Sequence, residues 1–241
     1  MSFDYSEVVK KIKPSIAFIV AVTGNDLYST GTGFIFSKKG ILVTCNHVIK
    51  NASSIVIKFP GSEYIGAKIV IRDEEHDLAL LKFEDDSREP LLMVDPSDIK
   101  EGMPIIFSGY PLSIESLTTH QGILSAIIKD ATGIATYLLD GTVNSGNSGC
   151  PLMDKDGKVI GVVNAKRREN SDLLKKVEDL AVGAISLHGI DIVEIYQALI
   201  KNVQLGIGYA VPVSYVPEHK ENLDIPNNLQ NGFSPSNPEI T

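Results

Sequence analysis

The chain has 241 residues, 43% of them apolar and 22% charged, with a net charge of −8. That composition fits a globular protein of one large domain, or two small ones sharing a core. The negative field disfavours nucleic acid and anionic membranes, no apolar run reaches the ~20 residues of a bilayer span, and two cysteines make no disulfide scaffold.

In chain order, Tyr5–Lys11 reads as a short helix. Ser15–Val22, preceded by Lys10, Lys11 and Lys13, faintly imitates a secretory signal, but Asp4, Glu7 and Pro14 fit that reading poorly. It is read as a buried strand. With only Cys45 and Cys150 present and no clear signal, a cytoplasmic location is expected. Short β-branched runs broken by Gly, Asn and Asp then follow at hairpin-like intervals: Ile16–Val22, Gly33–Phe36, Ile41–Thr44, Ser54–Phe59, Ala67–Ile71 and Leu78–Phe83. A second series comprises Pro104–Gly109, Gly122–Ile128, Ala135–Leu139, Pro151–Met153 and Val159–Asn164. Many short strands without long helices between them predict a mainly all-β, antiparallel sandwich or barrel architecture. Ser171–Asn202 is the helical exception, and Pro217–Thr241, rich in Pro and Asn, reads as a loose tail.

Three segments carry chemistry. In Gly31-Thr-Gly-Phe-Ile-Phe and Ile41-Leu-Val-Thr-Cys-Asn-His47, a histidine follows an apolar strand. In His76-Asp77-Leu-Ala-Leu-Leu, a carboxylate stands at the mouth of a core strand. In Asn144-Ser-Gly-Asn-Ser148-Gly-Cys-Pro-Leu, a serine lies inside a glycine-flanked turn. A serine hydroxyl needs a base to become a nucleophile, and neutral imidazole, with an unperturbed pKa of ~6.5, suits that task. A carboxylate on the other ring nitrogen fixes the tautomer and stabilises the imidazolium. Gly146 lets backbone amides converge on a developing oxyanion. Singly, each residue has an ordinary explanation: a tolerated polar residue, a turn aspartate like Asp73 or Asp140, a turn serine. The order His47, Asp77, Ser148 on an all-β background is what combines them. The five histidines show no metal-ligand spacing, so neither metal nor other cofactor is expected.

The chain resembles the HtrA-like (Deg) branch of the trypsin-fold serine proteases from about Ser6 to Val216. The likeness lies in "EVVKKIKPSIAFI", "GTGFIFSKKGILVTCNHVI", "DLALLKF", "GYP", "QGILSAI", "GNSGCPLMDKDGKVIGV" and "GIGYAVPVSYV". It implies two six-stranded antiparallel barrels, about 12–100 and 101–216, with the site in the cleft between them. By position, His47 is the general base, Asp77 its orienter and Ser148 the nucleophile of a serine endopeptidase. The amides of Gly146 and Ser148, with Asn147 between them, form the oxyanion hole. The implied substrates are unfolded or damaged polypeptides. Thr142 and Val143 floor the specificity pocket and Val163, Asn164 and Ala165 form its facing wall. With no carboxylate at that floor, a small or medium apolar side chain is expected before the scissile bond.

This chain departs from the family's usual pattern at Cys150, commonly glycine, and Ser145, often proline. About 25 residues follow Val216, too few for the PDZ domain many members carry. A helical insertion at 166–205 is also atypical: Leu173, Val177, Leu180, Ala181 and Ala184 form one stripe, and Ile192, Val193, Tyr196, Leu199, Ile200 and Val203 a second. It is expected to cover the second barrel, limit access to the cleft or set assembly, leaving a homo-oligomer open. Cys45 and Cys150 are expected to be core residues; an oxidised pair that distorts the site is the sharper reading. Two rival enzymes fail. An α/β-hydrolase needs Gly-x-Ser-x-Gly between strand and helix with histidine last, and Cys150, two residues past Ser148, faces the wrong way for a nucleophile. A catalytically silent trypsin fold serving as a peptide-binding or scaffold module remains the alternative.

Overall fold

The computed structural model describes residues 4–24, 27–85, 87–165, 186–187, 190–191, 193–195 and 207–217. A helix, α1 (Ser6–Ile12), leads through a 3₁₀ turn at Lys13–Ser15 into six strands: β1 (Ile16–Gly24), β2 (Leu27–Ser37), β3 (Ile41–Cys45), β4 (Ser54–Lys58), β5 (Tyr64–Asp73) and β6 (Leu78–Phe83). They close into an antiparallel barrel in the order β1-β2-β3-β6-β5-β4. Eight more follow: β7 (Pro104–Gly109), β8 (Thr118–Lys129), β9 (Ala135–Asp140), β10 (Pro151–Met153), β11 (Val159–Val163), β12 (Ser186–Leu187), β13 (Ile190–Asp191) and β14 (Ile207–Pro212). Six of these close a second barrel, β10-β11-β14-β9-β8-β7, which repeats the winding of the first. Closure leaves no open sheet edge in either barrel.

Each barrel has its own apolar filling. Ile19, Phe34, Leu42, Leu80 and Phe83 are fully buried in the first; Ile105, Phe107, Leu124, Leu152 and Ile160 are fully buried in the second. Strands such as β3 and β11 are buried along their whole length. They therefore read as continuous apolar runs rather than alternating ones.

Three segments fasten one barrel to the other. Ahead of the first barrel, α1 packs so that a Cβ on Gly157, in the turn between β10 and β11, would meet Val8 and Ile12. Between the barrels, the Leu91 N–H donates to the Ile35 carbonyl at 3.0 Å, while the Val94 N–H donates to Val159 at 2.9 Å. After the second barrel, Val213 and Val216 join the first barrel's core, and Tyr215 stacks on His76 with ring centroids 4.3 Å apart.

Most of the expected 166–205 insertion and of the tail 217–241 lies outside the described residues. Within the stretch expected to be helical, Ser186–Leu187 and Ile190–Asp191 instead pair as a two-stranded ribbon. Only His188 and Gly189 separate them, and a glycine in a two-residue connection favours a hairpin over a continuing helix. Residues 193–195 are helical, and the Asp191 carboxylate accepts from the N–H groups of Val193 at 2.9 Å and Glu194 at 3.1 Å, capping that start.

His120, on β8, stacks on Phe107 with centroids 5.0 Å apart, and burial pushes its pKa below the usual imidazole value. The unfolded chain therefore binds this proton more readily than the folded one. The stability His120 confers is full above about pH 6.5 and is lost as pH falls through its lowered folded value. Thermal midpoints measured from pH 7 down to 5 should decline, and His120→Gln should flatten that slope. An identical slope in the variant would remove His120 as its cause.

Candidate active site

Two strands of the first barrel and one turn of the second bring three side chains together. β3 ends at Cys45 and passes into a 3₁₀ turn, Asn46–Ile49, that carries His47. Asp77 sits just before β6 with φ +56, a left-handed conformation uncommon for a non-glycine residue. Its turn is braced by Asp73, which accepts the His76 N–H at 3.0 Å and pairs with His76 Nδ1 at 2.7 Å. Asp73 thus does more than terminate β5. Asp77 meets His47 twice: Oδ1 accepts the His47 backbone N–H at 2.8 Å, and Oδ2 lies 2.5 Å from Nδ1. A carboxylate only accepts, so Nδ1 carries the proton and Nε2 is left with its lone pair. That lone pair faces Ser148 Oγ at 2.8 Å.

Burial pushes the Asp77 carboxyl up. The hydrogen bonds and charge of His47, joined by the Asn164 amide, outweigh this and hold it below the usual carboxylate value. It stays ionised wherever the imidazole works as a base.

The turn bearing Ser148 needs glycine at both sides. Gly146 has φ +91 and a Cβ there would stand 2.2 Å from the Tyr110 carbonyl oxygen; Gly149 has φ +87 and a Cβ would stand 2.1 Å from the Thr32 carbonyl oxygen. Thr32, fully buried on β2, ties the turn to the first barrel. Its N–H donates to the Ser148 carbonyl at 2.9 Å, and its hydroxyl donates to the Gly146 carbonyl at 2.7 Å while accepting the Tyr110 N–H at 3.0 Å. The Thr44 hydroxyl in turn donates to the Thr32 carbonyl at 2.7 Å. With the Gly146 carbonyl held inward, the N–H groups of Gly146 and Ser148 have no backbone acceptor among the described residues. Two such donors, two residues apart and without an acceptor among the described residues, beside a hydroxyl are what an oxyanion requires. The Asn147 side chain between them is fully buried, and neither its oxygen nor its nitrogen has a partner among the described residues. Such a group costs about 1–3 kcal/mol, which the threonine network around it must offset.

The residues expected to line a specificity pocket divide. Thr142 is exposed, and Val143 packs towards Gly208 and the second core. Val163 buries its side chain in that core, while its carbonyl accepts the Gly149 N–H at 2.8 Å. The Ala165 N–H reaches Ser148 Oγ at 3.2 Å. Asn164 has a contact the sequence analysis did not foresee: its Nδ2 donates to Asp77 Oδ2 at 2.9 Å. Asp77 is thereby held by three donors. Asp77 also lines an open pocket of about 240 Å³, together with Glu75, His76, Asp130, Asn164 and Val211 among others.

Cys45 and Cys150 are unpaired and fully buried. Burial pushes both thiols well above the usual cysteine value, with Asp77 and Cys150 adding to the effect on Cys45. The Cys45 thiol donates to the Val163 carbonyl at 3.3 Å. Both are therefore core thiols with little thiolate, which favours the core reading over a redox pair. Among the described residues, Cys45, His47 and Asp77 form a group whose ligand atoms lie within 4.8 Å of one another. A metal there would have to displace the proton that His47 shares with Asp77 and deprotonate a buried thiol, so this donor set fits a metal poorly.

Residues 31–162, more than half of the chain, match the trypsin-like peptidase domain. The chain belongs to that family. Among its relatives, the "Serine protease Do-like HtrA" of Lactobacillus helveticus is 31% identical over 221 residues, covering 86% of this chain and 53% of the relative. The "Probable periplasmic serine endoprotease DegP-like" of Hahella chejuensis is 36% identical over 137 residues, covering 56% and 29%. The chain thus spans about half or less of these relatives' length. Among solved structures, "HtrA-type protease AlgW with tripeptide" superposes with a TM-score of 0.66 at 25% identity, covering 88% of this chain and 60% of that one. The two-barrel fold expected from the sequence is the one observed.

Proposed function

We propose that this trypsin-like peptidase domain is a serine endopeptidase acting through an acyl-enzyme on Ser148. The observation that carries the reading is the unbroken chain of contacts from Asp77 through His47 to Ser148 Oγ, beside the free N–H groups of Gly146 and Ser148. In the proposed reaction Ser148 Oγ bonds to the carbonyl carbon of the scissile peptide while its proton passes to His47 Nε2. The carbonyl oxygen takes the negative charge and accepts from the Gly146 and Ser148 amides. As the C–N bond breaks, His47 returns the proton to the leaving amine. Water then attacks the ester by the same route and frees Ser148.

The substrate proposed is an extended polypeptide with a small or medium apolar side chain before the scissile bond, read against Thr142, Val143 and the backbone of Val163–Ala165. The structural relative described with a tripeptide supports a peptide ligand. Self-association is retained from the family likeness and is testable by light scattering. The cytoplasmic expectation rests on the lack of a clear signal segment and on two unpaired cysteines. Since both are fully buried and one relative is named periplasmic, they do not select a compartment. Among the described residues, no helix is long and apolar enough to cross a membrane.

A fluorophosphonate probe tests the reading, since it bonds only to an activated serine. Labelling that maps to Ser148 is expected. A folded protein that resists the probe leaves the silent peptide-binding module in its place. Asn164 is proposed as a positioning residue. Asn164→Ala should lower kcat/KM about tenfold, the size of one hydrogen bond to a charged group, and change the acid limb of the pH profile; unaltered kinetics would return Asn164 to the pocket wall alone.

A further inference from the structure

Resting on the peptidase reading above, we infer that Asp73, His76 and Tyr215 act as one positioning unit for the triad carboxylate, so that the turn after the second barrel sets how Asp77 meets His47. Asp77 needs such support. Its left-handed backbone, φ +56, is a strained conformation that persists only where the surroundings dictate it. Packing alone does not dictate it, because the side chain is 27% exposed and lines the open pocket beside Glu75 and Asp130. On the C-terminal side the fixing is through backbone. The Asn46 N–H donates to the Asp77 carbonyl at 2.9 Å, and Leu78 pairs with Cys45 and Asp73.

The unit acts on the N-terminal side. Asp73 holds His76 with both oxygens: Oδ1 accepts the backbone N–H at 3.0 Å and Oδ2 lies 2.7 Å from Nδ1. Asp77 holds His47 in the same way, the backbone by one oxygen and the ring by the other. A carboxylate only accepts, so His76 Nδ1 carries the proton. The ring so oriented lies flat on Tyr215, at 21° between planes and 4.3 Å between centroids. His76 is thus fixed at its backbone, its ring edge and its ring face. One peptide bond separates it from Asp77, so any movement of His76 reaches the carboxylate directly.

Tyr215 is a firm platform. It ends the 3₁₀ turn Val213–Tyr215, whose neighbours Val213 and Val216 are buried in the first barrel's core, and the Val216 N–H donates to the Val213 carbonyl at 3.0 Å. Its hydroxyl accepts the N–H of Ala135, the first residue of β9, at 2.9 Å. The ring beneath His76 is therefore pinned to both barrels. A line of contacts runs from β9 through Tyr215 and His76 to Asp77 and on to His47. Asp73, His76 and Tyr215 act through Asp77, and so are positioning residues.

A double-mutant cycle tests this with His76→Ala, Tyr215→Leu and the two combined. The substrate is a fluorogenic peptide with valine before the scissile bond. Melting curves set the folded fraction, and fluorophosphonate titration counts active sites. Each single variant should lower kcat about tenfold with KM within about twofold, since the peptide's own contacts are untouched and one misaimed group slows turnover. The combined variant should fall no further than the worse single one, as for residues that act together. A carboxylate beside an imidazole favours its protonated form, so a loosened Asp77 should also move the acid limb of the pH profile to lower pH. Tyr215→Phe keeps the ring and should retain most of the turnover. Where His76→Ala does not fold, Asp73→Ala carries the same expectation. Unchanged kcat in folded single variants, a change in KM alone, or losses that multiply in the combined variant would overturn the inference, leaving the stack as a fastening of the barrels and the peptidase reading intact. A parent protein that neither cleaves the peptide nor takes the fluorophosphonate overturns both.

Discussion

Ser148→Ala is expected to lower peptide turnover by about 10⁴-fold or more, the scale seen when a nucleophile acting as a unit with its base is removed. Covalent catalysis disappears outright, whereas the free amides of Gly146 and Ser148 remain and support only residual polarisation of the carbonyl. The thermal midpoint should hardly move. The hydroxyl interacts with His47 Nε2 and the Ala165 N–H, while the turn itself is fixed through backbone atoms. Initial rates on a fluorogenic peptide and a melting curve on the same preparation separate the two effects. Substantial turnover in the folded variant would move the chemistry to another residue.

Gly149→Ala is expected to act in the opposite way, on the fold first. The new Cβ would stand 2.1 Å from the Thr32 carbonyl oxygen and 2.4 Å from Thr44 Oγ1, on a residue at φ +87. The obstacles are a backbone atom and a buried hydroxyl, so no flexible side chain can move aside. Overpacking and left-handed strain together should cost about 3 kcal/mol or more, or a midpoint lowered by roughly 10 °C in a chain of this size. The displaced Thr32 would also release the Gly146 carbonyl, so surviving protein should be weakly active. An unchanged melting curve would show that this turn has more room than its contacts indicate.

Strand existence was legible because nearly every strand carries an apolar run bounded by turn residues. Strand extent was less so. β2 begins at Leu27 rather than Gly33, since Leu27-Tyr-Ser-Thr has no apolar periodicity and is drawn into the sheet by pairing with Val22 and its neighbours. The repeated winding of the barrels leaves no sequence repeat, because a barrel constrains patterning and register rather than residue identity. His47, Asp77 and Ser148 could be proposed from local context; Thr32, Thr44 and Tyr110 could not. Their importance lies in hydrogen bonds between residues far apart in the chain, for which no spacing rule exists. Asn164 was within reach. If Val163 points into the core, strand alternation turns Asn164 to the other face, and that is the face occupied by Asp77.

The fastening of the barrels by α1, the Leu91–Val94 connection and the Val213–Val216 turn bears on what the cleft can admit. Jaws tied on three sides do not swing apart, so a compact target cannot be engulfed. A segment must be threaded across Ser148 already unravelled. Under the proposed peptidase function, the quantity that sets the cleavage rate of a folded target then belongs to the victim: cutting speed should track the free energy of local opening around the vulnerable stretch. A domain of this build would rank its targets by how often they come undone.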